Sequence, residues 1–402
     1  MAKQLKYYRL KEYSIILLTL SLVMPIKINN IFVIFFLLTS IIRFNFKDYL
    51  GNLRLNKRVL IVSILFWLPL ISQLYVVDFT NGWSHIEKNL AFLVIPMAVI
   101  SYSDINKSEI LKYFSISIFV ISLLLLSYSL IQYFITEDIK KFFYLELVSP
   151  LNIHPIYFGM YFLFSASILF EWLKDSVARS TWVKLFFALY TTLLVVLISS
   201  KVILAGYIIL IFIQFKHKKR YAFALMILIT LCAALLPITR LRIMDVINSD
   251  WSVLKKEYFE YNEPFTGLTL RLTQWKLGLE HMLQDNNYFI GTGAGDAKAY
   301  INSIYNHHNL NAGGYTNYNM HSLYIDFFIK YGISGVICLI CIFAQLIIAV
   351  KKKHHYSFWV FIFVFMLTGI TENTLGLNKG IIFLAFFGSI LLHENQLVAN
   401  YK

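Results

Sequence analysis

LTLRLTQWKLGLEHM at 268–282 and NYNMHSLYIDFFIKYGISG at 317–335 belong to the one long polar segment of this chain, Thr239 to Tyr331. On both sides of that segment the sequence is a succession of apolar runs of membrane-spanning length. The contrast between segment and runs decides the fold class. The chain has 402 residues, of which 58% are hydrophobic and 14% charged, and its mean hydropathy is +0.65. A water-soluble domain carries about 25% charged residues. Apolar runs of this length fit spanning helices, whereas barrel strands alternate polar and apolar residues over about 10 positions. The reading is an all-α polytopic membrane protein with about 12 transmembrane helices and one large periplasmic loop between helices 9 and 10.

The expected spans lie near 13–27, 30–45, 59–77, 88–102, 109–134, 154–172, 182–199, 202–215, 221–238, 332–350, 356–371 and 379–393. They group as an N-terminal bundle, 1–238, the loop, 239–331, and C-terminal helices, 332–402. The basic head and apolar run at the start lack a small-residue cleavage site and are expected to stay as the first span. The formal charge of +14 does not indicate nucleic acid, because the basic residues cluster in short loops. These clusters are Lys3 to Lys11, Arg43 to Arg58, Lys174 to Lys184, Lys216 to Arg220 and Lys351 to Lys353. All fall on one side of a twelve-span chain, the cytoplasmic side by the positive-inside rule. Both termini are then cytoplasmic and the loop is periplasmic. Three cysteines, all in apolar runs, form no disulfide framework.

Within the loop, Leu268, Leu270, Leu272, Trp275, Leu277, Leu279 and Met282 predict an amphipathic helix over about 268–285, lying on the membrane surface. GTGAGD at 291–296 follows no strand of a βαβ unit, so it reads as a turn needing backbone freedom. His307 and His308 are adjacent and lack a companion ligand cluster, so no metal site is expected.

Lys201, Arg271, His321, Glu372 and His154 come from different runs, yet the topology places them all on the external side. Ionisable residues at span ends on one face are candidate site residues. Arg271 is either a headgroup-contacting arginine or an anion clamp, since its planar fork binds phosphate through two bonds. Lys201, between two apolar runs, either snorkels to the interface or adds a second cation. His321 either caps a helix or serves as general base, because imidazole titrates near neutrality. Glu372 is an interface carboxylate or the partner of a site cation.

RLTQWKLGLEHMLQDNNYFIGTGAG at 271–295, followed by HSLYIDFFIKYGISGVI at 321–337, resembles the signature of the O-antigen ligase and polymerase superfamily. The matching positions are Arg271, Trp275, Gly291, Gly293, Gly295, His321, Tyr324, Gly332 and Gly335. The family usually has an arginine where ISSKVILAG places Lys201, which keeps the charge but loses the fork. His154 resembles a recurring His-Pro, and Tyr324 falls in the histidine motif.

The resemblance implies a glycan donor on a polyprenyl (undecaprenyl) diphosphate, membrane lipids around it, and an acceptor hydroxyl on the periplasmic face of the inner membrane. Arg271 and Lys201 would bind the diphosphate. His321 with Arg271 would carry catalysis, with inversion, no metal and no cofactor. The acceptor is a lipid A-core sugar for a ligase, or the next lipid-linked repeat for a polymerase. From another class, a polysaccharide or lipid transporter would show internal repeats and interrupted helices with charges near the midplane. Neither is visible.

Overall fold

Apolar runs with helical periodicity become helices. In the computed structural model, which describes residues 2–42, 45–175, 181–214, 219–353 and 356–395, the described residues hold helices and no strand. The chain begins with α1 (Ala2–Ser21), α2 (Ile26–Ile41), α3 (Phe46–Asn56) and α4 (Ile64–Ser72). Two short helices follow, α5 (Phe79–Asn89) and α6 (Ala91–Ile100), then the long α7 (Lys107–Thr136) and the short α8 (Tyr144–Val148). Next come α9 (Pro155–Asp175), α10 (Thr181–Ile198), α11 (Lys201–Gln214) and α12 (Lys219–Leu235). The polar segment supplies α13 (Pro237–Ile247), α14 (Gly267–Gln284) and α15 (Ala297–His307). The chain closes with α16 (Leu323–Lys353), α17 (Tyr356–Thr371) and α18 (Asn378–Leu392).

Four helical stretches are long and apolar enough to cross a membrane: Phe46–Ser72, Lys107–Thr136, Pro155–Leu173 and Leu323–Lys351. Six more apolar helices are shorter. The expected count of about twelve spans is therefore not reached by length and composition among the described residues. The run near 88–102 is divided between α5 and α6, and α6 has only 10 residues, about 15 Å of helix against a hydrocarbon core of about 30 Å. The run near 221–238 ends at Leu235, and Pro237 restarts the chain as α13. Arg43, Arg179, Lys216 and Lys218, counted in the basic clusters, lie outside the described residues.

α9 is at the centre, packed on α7, α10, α11 and α17. α18 is buried along its length from Lys379 to Leu392. Phe114, Phe164, Phe361, Phe383 and Phe387 interlock there, with centroids 4.9 Å apart for Phe114 and Phe387 and 5.1 Å for Phe361 and Phe383. α7 is one-sided: Ile110, Phe114, Ile118 and Leu125 are buried, while Leu124, Ile131, Phe134 and Ile135 are exposed. An apolar outer face of this extent needs an apolar surrounding.

The polar segment has an apolar cluster of its own, built by Phe259, Leu277, Met282, Ile301, Ile304, Tyr305, Leu310, Met320 and Ile329. The amphipathic helix expected over 268–285 is α14. Leu277 and Met282 of its apolar face turn into this cluster, against α15 and the start of α16.

The glycine turn has a clear mechanical part. Gly332 breaks α16 with φ +62°, so a first stretch, Leu323 to Tyr331, is set off from the long apolar part. The break frees the carbonyls of Ile329 and Lys330, which accept N–H bonds from Thr292 (2.8 Å) and Gly293 (2.9 Å). A Cβ on Gly291, itself at φ +75°, would lie 2.4 Å from the Lys330 and Tyr331 backbone, so only glycine fits there. Asp296 closes the motif by accepting the N–H groups of Val77 (2.7 Å) and Asp78 (2.8 Å). The turn thus ties the segment between α4 and α5 to the kink in α16.

Candidate active site

Arg271 and Trp275 are four residues apart on α14 and share a face. The Trp275 indole N–H donates to the Met320 carbonyl at 2.6 Å, which sets the neighbouring His321 beside Arg271. His321 is left-handed, φ +44°, and its N–H is held by Asn319 Oδ1 at 2.8 Å. This is the physical content of the arginine–tryptophan spacing: one residue pairs with Glu372 and the other fixes the segment that leads into the histidine.

Glu372 joins them from the end of α17. Its Oε1 lies 2.6 Å from Arg271 Nη2, and its Oε2 lies 3.6 Å from His321 Nδ1. The Arg271 bond is short and charge-assisted. The His321 contact is longer than a hydrogen bond, and Nδ1 is buried with no hydrogen-bond partner. Glu372 is 17% exposed, and Arg271 and His321 are each 28% exposed, so the three form a half-buried row. The turn after Glu372 is pinned from two directions. The Tyr157 hydroxyl of α9 donates to the carbonyls of Asn373 and Thr374 at 3.3 Å, and Lys88 Nζ of α5 donates to the Gly376 carbonyl.

The other sequence candidates sit around this row. Tyr324 donates to the Met366 carbonyl at 2.9 Å and so ties the start of α16 to the backbone of α17. His154 lies at the foot of α9 with Nε2 3.3 Å from the Tyr144 hydroxyl. Burial holds its pKa below the usual imidazole value; Glu372 opposes this, and Arg271, Arg242 and His321 reinforce it. Lys201 opens α11 after Ser199, itself left-handed at φ +50°. Its Nζ pairs at 3.6 Å with Asp245 of α13, so its direct partner is a carboxylate outside the row.

Sequence reasoning missed Arg242 and Asp245, both on α13 inside the polar segment. The Arg242 guanidinium lies 3.7 Å above the Tyr144 ring, and its Nε is buried without a hydrogen-bond partner. Arg242 and Lys201 line one small cleft with Ser199 and Thr239. The signal was present in TRLR at 239–242, a pair of arginines directly after Pro237. Also missed were buried polar atoms that flank the row with no partner: Thr273 Oγ1, both amide atoms of Gln274, Thr371 Oγ1 and Asn373 Oδ1. Such groups are uncommon without a function.

Among the described residues the chain is all-helical with apolar outer faces, an architecture consistent with a multi-pass membrane protein, and it brings a cation, a carboxylate and an imidazole into one row. Residues 176–340 match the family model described as O-Antigen ligase, which supports the resemblance to the O-antigen ligase and polymerase superfamily. The match spans Lys201, Arg242, Arg271, His321 and Tyr324. His154 and Glu372 lie outside it and join only through the fold. A comparison with curated proteins gave no match.

Proposed function

We propose that this protein moves a glycan from a polyprenyl diphosphate to an acceptor hydroxyl, on the periplasmic face of the inner membrane, with both termini in the cytoplasm. The observation that carries the reading is the row Arg271–Glu372–His321, assembled from three separate parts of the chain. The match of residues 176–340 supports O-antigen ligase or polymerase chemistry; donor and acceptor are our inference.

The diphosphate leaves with developing negative charge. Arg271 keeps free N–H donors beyond the one given to Glu372, and Arg242 and Lys201 add cations from the neighbouring cleft. Such preorganised charge is commonly the largest contribution to catalysis. Glu372 faces His321 Nδ1 and favours a proton there, which leaves Nε2 with a lone pair for the acceptor hydroxyl. The 3.6 Å separation shortens once substrate fills the row, as catalytic hydrogen bonds do. The acceptor oxygen then bonds to the anomeric carbon, the carbon–oxygen bond to phosphate breaks, and the hydroxyl proton passes to Nε2. Configuration inverts in this single displacement.

Of the two acceptors, we favour a lipid A-core sugar, as in a ligase. The experiment is Arg271→Ala and His321→Ala in cells, followed by a gel of surface glycans. Both variants should insert normally and attach no long chains, with lipid-linked polymer accumulating. A single repeat on the core instead means a polymerase, and normal glycan in either variant removes the proposed roles.

A further inference from the structure

An open groove of about 760 Å³ is lined in part by Gly291 and Thr292 of the glycine turn. Tyr75 and Asp78 come from the segment before α5, Asn287 and Ile290 from the turn after α14, and Tyr300 and Ser303 from α15. Nothing in the row at Arg271 uses these residues. We propose that this groove is a saccharide subsite, holding sugar units of the transferred chain away from the reacting hydroxyl; this rests on the glycosyl-transfer reading above.

The lining selects the ligand class. Two tyrosines offer aromatic faces, and Tyr75 is 38% exposed. A pyranose has an apolar C–H face that packs on such a ring, and hydroxyls around its rim that need acceptors. Asp78 and Asp296 are those acceptors. Asp296 spends one lone pair on each of two backbone N–H groups and retains others, since a carboxylate has about four acceptor sites. Among the lining residues there is no lysine or arginine. Two carboxylates without a cation repel phosphate, uronate and anionic headgroups. A bare hydrocarbon surface would leave those carboxylates unsolvated. A neutral or amine-bearing saccharide satisfies both halves of the lining.

The tyrosines are braced, as a binding site requires. The Tyr75 hydroxyl donates to the Ile290 carbonyl and the Tyr300 hydroxyl to Asp285, both at 2.8 Å. The groove is also joined to the row. Thr292 on its floor donates its N–H to the Ile329 carbonyl, and Leu323 to Ile329 is about 10 Å of helix. A chain reacting at His321 therefore has its next sugars within reach of Tyr300.

The test uses the full chain in nanodiscs and the oligosaccharide released by mild acid from the host cell's lipid-linked pool, with polygalacturonate as the acidic control. The wild type and Arg271→Ala should bind the oligosaccharide equally and ignore the polygalacturonate. Tyr300→Ala should bind it about tenfold more weakly. Ser303→Trp, at an exposed position that fills the groove, should abolish binding and carries the test if Tyr300→Ala does not fold. No binding by the wild type, or unchanged affinity in Ser303→Trp, overturns the subsite. Full transfer activity in Arg271→Ala would instead overturn the reaction at the row and leave the groove standing.

Discussion

Glu372 is the residue on which the proposed site turns. It neutralises Arg271 on one oxygen and faces His321 on the other. Glu372→Gln keeps the shape and removes the charge, so the imidazole loses its orienting partner. Transfer in membrane vesicles should fall about 10²-fold, the scale for losing one preorganised electrostatic group, with donor binding little changed. A KM effect with unaltered kcat would place Glu372 in binding alone. Trp275→Phe isolates a different contribution. The ring stays but the 2.6 Å bond to Met320 goes, which costs about 1 kcal/mol of stability. Because Met320 precedes His321, activity should drop well beyond that figure, and thermal unfolding beside a transfer assay separates the two.

At the scale of elements, the unit to test is the clasp between the glycine turn and the kink in α16. Gly332→Ala asks a Cβ to fit 2.4 Å from the Phe289 carbonyl at a φ of +62°. The clasp should open, and the purified yield and unfolding temperature should fall more than for Gly267→Ala, where a Cβ meets nothing within 4 Å. α5 gives a pH prediction. Burial, with Lys330 and Lys88 nearby and Asp326 opposing, lowers the His85 pKa from 6.5 to about 4. The unfolded chain therefore takes up this proton first as pH falls, so stability is complete above about 6.5 and is lost on the way down to about 4. The unfolding temperature should decline over that window, and His85→Gln should flatten the decline. An unchanged slope in the variant would assign the acid sensitivity to other groups.

On the scale of the whole molecule, the proposed orientation makes a labelling prediction. With the native cysteines replaced, Ser303→Cys should react with a membrane-impermeant maleimide in intact spheroplasts, and Asn45→Cys should react only after lysis. The reverse pattern would place the ionic row in the cytoplasm. Asn45 lines a cavity of about 410 Å³ with Lys11, Asp48, Asn52 and the segment 101–106, among the basic loops that set the expected inside.

Reading the sequence alone was enough for whatever depends on composition and short-range spacing. Excess apolar residues require helices in an apolar surrounding, since every backbone group must be satisfied within its own segment. The spacing of Arg271 and Trp275 required one helix face, and the glycines required a turn. Span lengths were less legible, because a hydropathy run does not reveal where Pro237 or the α5–α6 junction divides it. Arg242 and Asp245 were hidden for a related reason: a short charged helix beside a bundle has no distinctive pattern. Pairing across the chain belonged to tertiary structure. Arg271 meets Glu372 across 101 positions, and Lys201 turns to Asp245 instead of the row, because helix packing, not spacing, decides which charges share a half-buried space where an unpaired one is costly.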